Sequence, residues 1–95
     1  PALYIASLGE RAAVEACRIT TELRQAGIIA ECDVMGRSLK AQMKYADKLG
    51  AHFTLILGDS EIDSGLAVIK NMSDSAQTEI EISDTVKFIR DSLSI

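Results

Sequence analysis

Three short apolar runs, at residues 2–6, 28–32 and 52–57, are separated by two stretches in which apolar residues recur every three or four positions. This switch of period constrains the fold more than any other feature. Ala2-Leu3-Tyr4-Ile5-Ala6 is continuous and of strand length, as expected for a strand buried on both faces. Beyond the turn Ser7-Leu8-Gly9-Glu10, Ala12, Ala16, Ile19, Leu23 and Ala26 lie on one side of a helix. Glu15, Arg18, Glu22 and Gln25 lie on the other. The pattern predicts an amphipathic helix over about 10–26, with Gly27 placed to end it. A second strand follows at 28–32, then a loop from Asp33 to Arg37.

Ser38 can cap a second helix running to about Leu49, and Gly50 stops it. Residues 52–57 form the most apolar run and predict a central third strand. Gly65 to Asn71 and Gln77 to Ile82 read as two more strands. Asp84 starts a last helix, with Val86, Ile89 and Leu93 on its buried side and Lys87, Arg90 and Asp91 outside. The first three strands are joined through helices, which parallel neighbours require. The links 58–64 and 72–76 are too short for such crossovers. Strand four therefore runs antiparallel to the rest, in a three-layer α/β/α domain with a mixed five-stranded sheet.

Ninety-five residues suffice for one domain and not two. A chain this size buries roughly 60–65% of its unfolded surface, enough for a modest core. At 47% hydrophobic and 25% charged, the composition is too apolar for a disordered chain. Cys17 and Cys32 are too few for a disulfide framework and have no metal-ligand spacing, which points to a reducing, cytoplasmic setting. No apolar run reaches the ~18 residues of a membrane span, and no signal peptide is expected before the domain. The start at Pro1 fits a processed protein or, better, a domain cut from a longer chain.

The net charge of −4 hides an asymmetry. Residues 34–58 carry Arg37, Lys40, Lys44 and Lys48 against Asp47, a net +3; residues 59–84 carry seven acids against Lys70, a net −6. The four basic residues are spaced three, four and four apart, so they form one stripe along the second helix. Such a stripe can sit on a phosphate backbone. Spacing alone favours a solvated helix face, with Lys44 and Lys48 offsetting the negative end of the helix dipole. Overall acidity argues against general nucleic-acid binding, so any RNA contact must be local.

No catalytic constellation is evident. His52, the single histidine, has no nucleophile motif beside it and reads as a residue at the start of a strand. Ser7-Leu8-Gly9-Glu10 and Gly58-Asp59-Ser60-Glu61 follow strands one and three, where open α/β sheets place ligands. Neither matches a phosphate-cradling loop, and turn chemistry explains both. Met35, Met43 and Met72 read as core or rim filler. Four aromatic residues are too few for a stacking platform that binds single strands indiscriminately. The residues describe a non-catalytic binding or interaction domain.

The block Gly36-Arg37-Ser38-Leu39-Lys40-Ala41-Gln42-Met43-Lys44-Tyr45-Ala46-Asp47-Lys48-Leu49-Gly50-Ala51 closely resembles the signature of the C-terminal domain of bacterial-type histidyl-tRNA synthetases. The likeness continues through Gly58-Asp59-Ser60-Glu61, Gly65 and Val68-Ile69-Lys70-Asn71-Met72, and covers essentially residues 1–95. The opening strand, Leu8-Gly9-Glu10 and Leu23-Arg24 before Gly27 share it. It implies an anticodon-binding domain that grips the anticodon loop of histidine tRNA. A separate catalytic domain, holding ATP, magnesium and histidine, would carry out the ligation; this domain would have no cofactor and no catalytic residue of its own. A homodimeric, cytoplasmic parent is implied too.

The same resemblance places Gly36, Arg37 and Lys40 against the anticodon loop, with Lys44 further along the stripe. Unstacked loop bases expose their edges, and a guanidinium can both hydrogen-bond and stack on them. Glu61 matches a position where related synthetases have an acid near the anticodon bases, although a solvated loop acid fits its spacing equally well. Lys70 and Asn71 are implied to complete the site. Two positions depart from the family pattern: His52 stands where a basic residue is frequent, and Ser75-Ala76-Gln77 replaces Gly-Glu-Gln before strand five. The alternative is a synthetase-like domain used for protein association or regulation without anticodon readout. A free-standing flavodoxin-like ligand binder is disfavoured by the missing phosphate loop.

Overall fold

The computed structural model describes residues 1–93. The continuous apolar run becomes β1 (Leu3–Ser7), buried at each position because helices cover both of its faces. The amphipathic stretch becomes α1 (Glu10–Gln25), and a three-residue strand β2 (Ala30–Cys32) follows. Then come α2 (Leu39–Leu49), β3 (Phe53–Leu57), a short α3 (Asp59–Ser64), β4 (Leu66–Asn71) and β5 (Gln77–Glu81). A single 3₁₀ turn at Ile82–Asp84 leads into α4 (Thr85–Leu93). The sheet order is β2-β1-β3-β4-β5. β1 pairs in parallel with β2 and β3, while β4 is antiparallel to both β3 and β5. Strand four therefore opposes the other four, as the link lengths require.

One face of the sheet packs against α1 and α4. Leu3, Ile5, Leu55, Leu57 and Ile69 meet Ala12, Ala16, Ile19, Leu23 and Ile89 in a single cluster. Phe53 and Phe88 close its lower end edge to face, with ring centroids 5.6 Å apart. Each fully buried Leu or Ile here contributes roughly 1.5–3 kcal/mol. Among the described residues, the other face is covered by α2 alone, through a smaller cluster of Tyr4, Ala6, Ala46 and Ala51 with Leu39, Met43, Leu49, Ile56 and Met72 around it. These are the three layers.

Four local features differ from the expected elements. Residues 58–64 contain α3, whose six residues are too few to show a helical period in sequence. β2 is shorter than 28–32 because the Ile28 N–H donates to the Leu23 carbonyl at 2.9 Å, so Ile28 belongs to the end of α1. Leu93 is 43% exposed, not buried, because α4 extends past the edge of the core. Thr85 takes a buried place instead, its hydroxyl donating to the Ile82 carbonyl at 2.7 Å. The capping signals are as read: Ser38 Oγ accepts from the Ala41 N–H at 3.2 Å, and Gly50 ends α2 at φ 72°.

Candidate nucleic-acid interface

α1 and α2 lie on opposite faces of the sheet, so the connections diverge around β1. The C-terminal edge of the parallel strands is thereby left open, as doubly wound sheets leave it at their switch point. The loops after β1, β2 and β3 gather there. Between the first two lies an open concavity of about 460 Å³, lined by Ser7–Glu10, Ala13, Asp33, Val34, Gly36 and Arg37.

The loop after β2 is built around Asp33. Its carboxylate is 1% exposed and accepts twice from Arg37, from the backbone N–H to Oδ2 and from Nε to Oδ1, both at 2.9 Å. Gly36 makes the close turn possible with φ 66°, a conformation that costs an L-residue about 1–2 kcal/mol. Burial works against the Asp33 charge. The hydrogen bonds from the Arg37 side chain and from the Arg37 and Met35 backbone outweigh it, holding the carboxyl below the ordinary range. The Arg37 guanidinium then lies over the Tyr45 ring, 4.4 Å from its centroid, in a cation–π contact. Tyr45 in turn meets Tyr4 edge to face at 5.9 Å. Burial raises the Tyr4 phenol, Asp33 adds to the shift, and Arg37 opposes it.

Gln42 ties this loop to the sheet. It is fully buried, on the stripe Leu39, Gln42, Ala46 and Leu49 that faces β1. Its Oε1 accepts from the Ser7 N–H at 2.8 Å, while Nε2 donates to the carbonyls of Ser7 at 2.8 Å and Arg37 at 2.6 Å. One amide thus joins the end of β1 to the start of α2. Ser7, Asp33, Gln42 and Tyr45 are not among the residues to which sequence reasoning gave a site role. A polar residue in the buried stripe of α2 was the available signal.

Lys40, Lys44 and Lys48 are exposed on the outer face of α2. Among the described residues none of them enters an ion pair, in contrast to Arg11 and Arg18 on α1, which pair with Asp59 and Asp63 and with Glu15 and Glu22. Lys40 sits in the first turn, beside Arg37; Lys44 and Lys48 recede by roughly 6 Å each along the helix. Glu61 lies in α3, just beyond β3, with its Oε1 over the Cα of Gly58 so closely that a Cβ there would stand 3.0 Å away. Only β1 separates β2 from β3, so the Arg37 and Glu61 loops leave the same edge about 10 Å apart.

Lys70 and Asn71 are not part of this group. Lys70 is in register with Thr54 and Asn71 with Phe53, at the beginning of β3, so both lie near the opposite edge of the sheet. The Asn71 side chain is engaged in a turn, accepting from the Ser73 N–H at 2.9 Å. His52 is exposed beside it, and its carbonyl accepts from the Met72 N–H, consistent with a structural role at the strand start. Met35 is rim and not core: it is 73% exposed, and Val34 next to it 84%. No described helix is long and apolar enough to cross a membrane.

Comparison with known proteins places this geometry. A profile of the family described as Anticodon binding domain matches residues 2–92. The histidine–tRNA ligase of Acetivibrio thermocellus is 49% identical over 90 residues, 95% of this chain and 22% of that protein. That of Halothermothrix orenii is 48% identical over 85 residues, 90% of this chain and 20% of that protein. The crystal structure of apo S. aureus histidyl-tRNA synthetase superimposes with a TM-score of 0.88 at 37% identity, covering 92% of this chain and 25% of that one. The chain spans about a fifth of the length of the ligases it matches. With the sheet order, the open strand edge and the matched residues in agreement, the chain belongs to the anticodon-binding domain family, in a form similar to that of the histidine–tRNA ligases.

Proposed function

We propose that this domain binds the anticodon loop of histidine tRNA for a histidine–tRNA ligase. The observation that carries the reading is the arrangement at the open strand edge: an arginine held in place by a buried acid, at the head of a stripe of three lysines that make no ion pair among the described residues. Lysines of this kind attract phosphate without regard to sequence, while an oriented guanidinium can distinguish base edges. Glu61, across β1, could accept from the N–H groups of a base. Activation of histidine with ATP and magnesium, and transfer to tRNA, would belong to another domain of the same polypeptide, in a cytoplasmic homodimer.

Binding of an anticodon stem-loop by the chain and its variants tests this. Arg37→Ala should weaken the histidine loop by ~1–3 kcal/mol and have little effect on a scrambled loop. Lys44→Ala should weaken both alike. With three phosphate contacts to a single-stranded loop, log K against log salt should have a slope of about −2. A salt-independent affinity would refute the phosphate role of the lysines.

A second reading, docking of a protein partner, is favoured by the exposed Val34 and Met35 on the same loop. In that case Met35→Ser would abolish partner capture and leave RNA titrations unchanged.

A further inference from the structure

Arg37 and Asp33 form a nearly neutral pair, and this changes what Arg37 can do. As a phosphate anchor it is poor, because the buried carboxylate 2.9 Å from Nε offsets its field. The lysines on α2, which make no ion pair among the described residues, serve that purpose better. As a directional donor it is well prepared. Nε is committed to Asp33, one face of the guanidinium is covered by Tyr45, and the side chain remains 33% exposed. What is left is the pair Nη1 and Nη2, which make no ion pair or geometrically good hydrogen bond among the described residues, close to the buried Tyr4 hydroxyl that itself has no such partner there. Two parallel donors in a fixed plane match the paired acceptors along one edge of a nucleobase. The backbone of Arg37 is fixed independently, by Asp33 on its N–H and by Gln42 on its carbonyl.

We infer that Asp33 and Tyr45 are positioning residues that make Arg37 a base-reading fork: Asp33 cancels its non-specific pull on phosphate and sets its plane, and Tyr45 holds that plane. The inference rests on the proposed RNA-binding reading and assigns the origin of its selectivity. Removing the Asp33 charge should not weaken RNA binding in general, because it releases the positive charge of Arg37. It should weaken discrimination.

The test is a titration of the 95-residue chain and its variants with a histidine-tRNA anticodon stem-loop and with the same hairpin carrying a scrambled anticodon, across salt concentrations. For Asp33→Asn, affinity for the scrambled hairpin should stay level or rise. The salt slope should steepen by up to about 0.7 as one more cation becomes available to phosphate. The preference for the correct hairpin should fall about ten-fold. Tyr45→Leu should lose a similar part of the preference with no change in slope, and Tyr45→Phe, which keeps the ring, should restore it. Arg37→Lys, which keeps charge but not the fork, should bind both hairpins with little preference.

A purely structural role for Asp33 would lower affinity for both hairpins together, and that result would overturn the inference. So would an unchanged preference in Asp33→Asn and Tyr45→Leu while Arg37→Ala abolishes it; the RNA-binding reading would then survive. If the unmodified chain shows no preference, the anticodon reading itself fails, and the inference with it. Melting curves identify a variant that has unfolded, and the Tyr45→Leu and Tyr45→Phe pair then decides.

Discussion

Replacing Gln42 with methionine should be among the most damaging single changes in this domain. The substitution keeps the volume and the flexible, unbranched shape, so it creates little cavity and isolates the hydrogen bonds. Three would be lost: from the Ser7 N–H to Oε1, and from Nε2 to the Ser7 and Arg37 carbonyls. The Ser7 N–H is aimed at Gln42 and Ser7 is buried, so this group bears a desolvation penalty of about 1–3 kcal/mol. The Arg37 carbonyl, nearer the surface, can recover water, and the Ser7 carbonyl loses about 1 kcal/mol. The expected loss is about 2–4 kcal/mol, against a total of roughly 5–14 kcal/mol for a domain of this length. With an unfolding entropy of about 0.2 kcal/mol per kelvin, each kcal/mol lowers the midpoint by about 5 °C. Thermal melts followed by circular dichroism should therefore show a drop of about 10–20 °C. A drop below about 5 °C would refute the reasoning, since it would mean that the amide does not bridge the strand and the loop. Gln42→Glu supplies a second check. The introduced carboxylate faces two carbonyl oxygens, so this variant should gain stability as pH falls and one donor is restored.

Ser75 is the one non-glycine with positive φ among the described residues, at 63°, in the turn before β5. Ser75→Gly should relieve strain worth about 1–2 kcal/mol at an entropic cost of roughly 0.5–1, a net gain of a few degrees in the melting midpoint; a loss of stability would contradict the turn geometry. Asp33 has a lowered carboxyl pKa in the folded state. Its contribution to stability is complete above the unfolded value of about 4 and is lost as pH falls through the folded value. The gap in melting temperature between the unmodified chain and Asp33→Asn should accordingly be constant from pH 7 to about 5 and close in stronger acid; a constant gap down to pH 2 would exclude the ionic contribution. Ser38→Ala removes the cap on α2 and should cost about 1 kcal/mol, read from urea unfolding with an unchanged m-value.

Much of the fold was legible because it rests on periodicity. The alternation of apolar runs with helical stripes specified α1, α2 and the three parallel strands, and the short links specified the reversed β4. α3 was hidden because six residues complete fewer than two turns and bury no side chain fully. The resemblance in sequence grouped Lys70 and Asn71 with Arg37, yet the antiparallel direction of β4 carries them to the far edge. Strand direction, itself readable from the links, decides this and motif order does not. Asp33 and Gln42 show the other limit. Spacing identifies a charged or amide residue, but whether it is buried against a backbone group depends on contacts 35 residues apart in the case of Ser7 and Gln42.

The central claim, that this strand edge reads an anticodon, is tested most directly by one comparison. The chain is titrated with a histidine-tRNA anticodon stem-loop and with a hairpin of identical stem and scrambled anticodon, at low and at moderate salt. Anticodon reading requires a preference for the correct hairpin that persists at both salt concentrations while the absolute affinities fall together. Equal affinity for the two hairpins at both concentrations would contradict it.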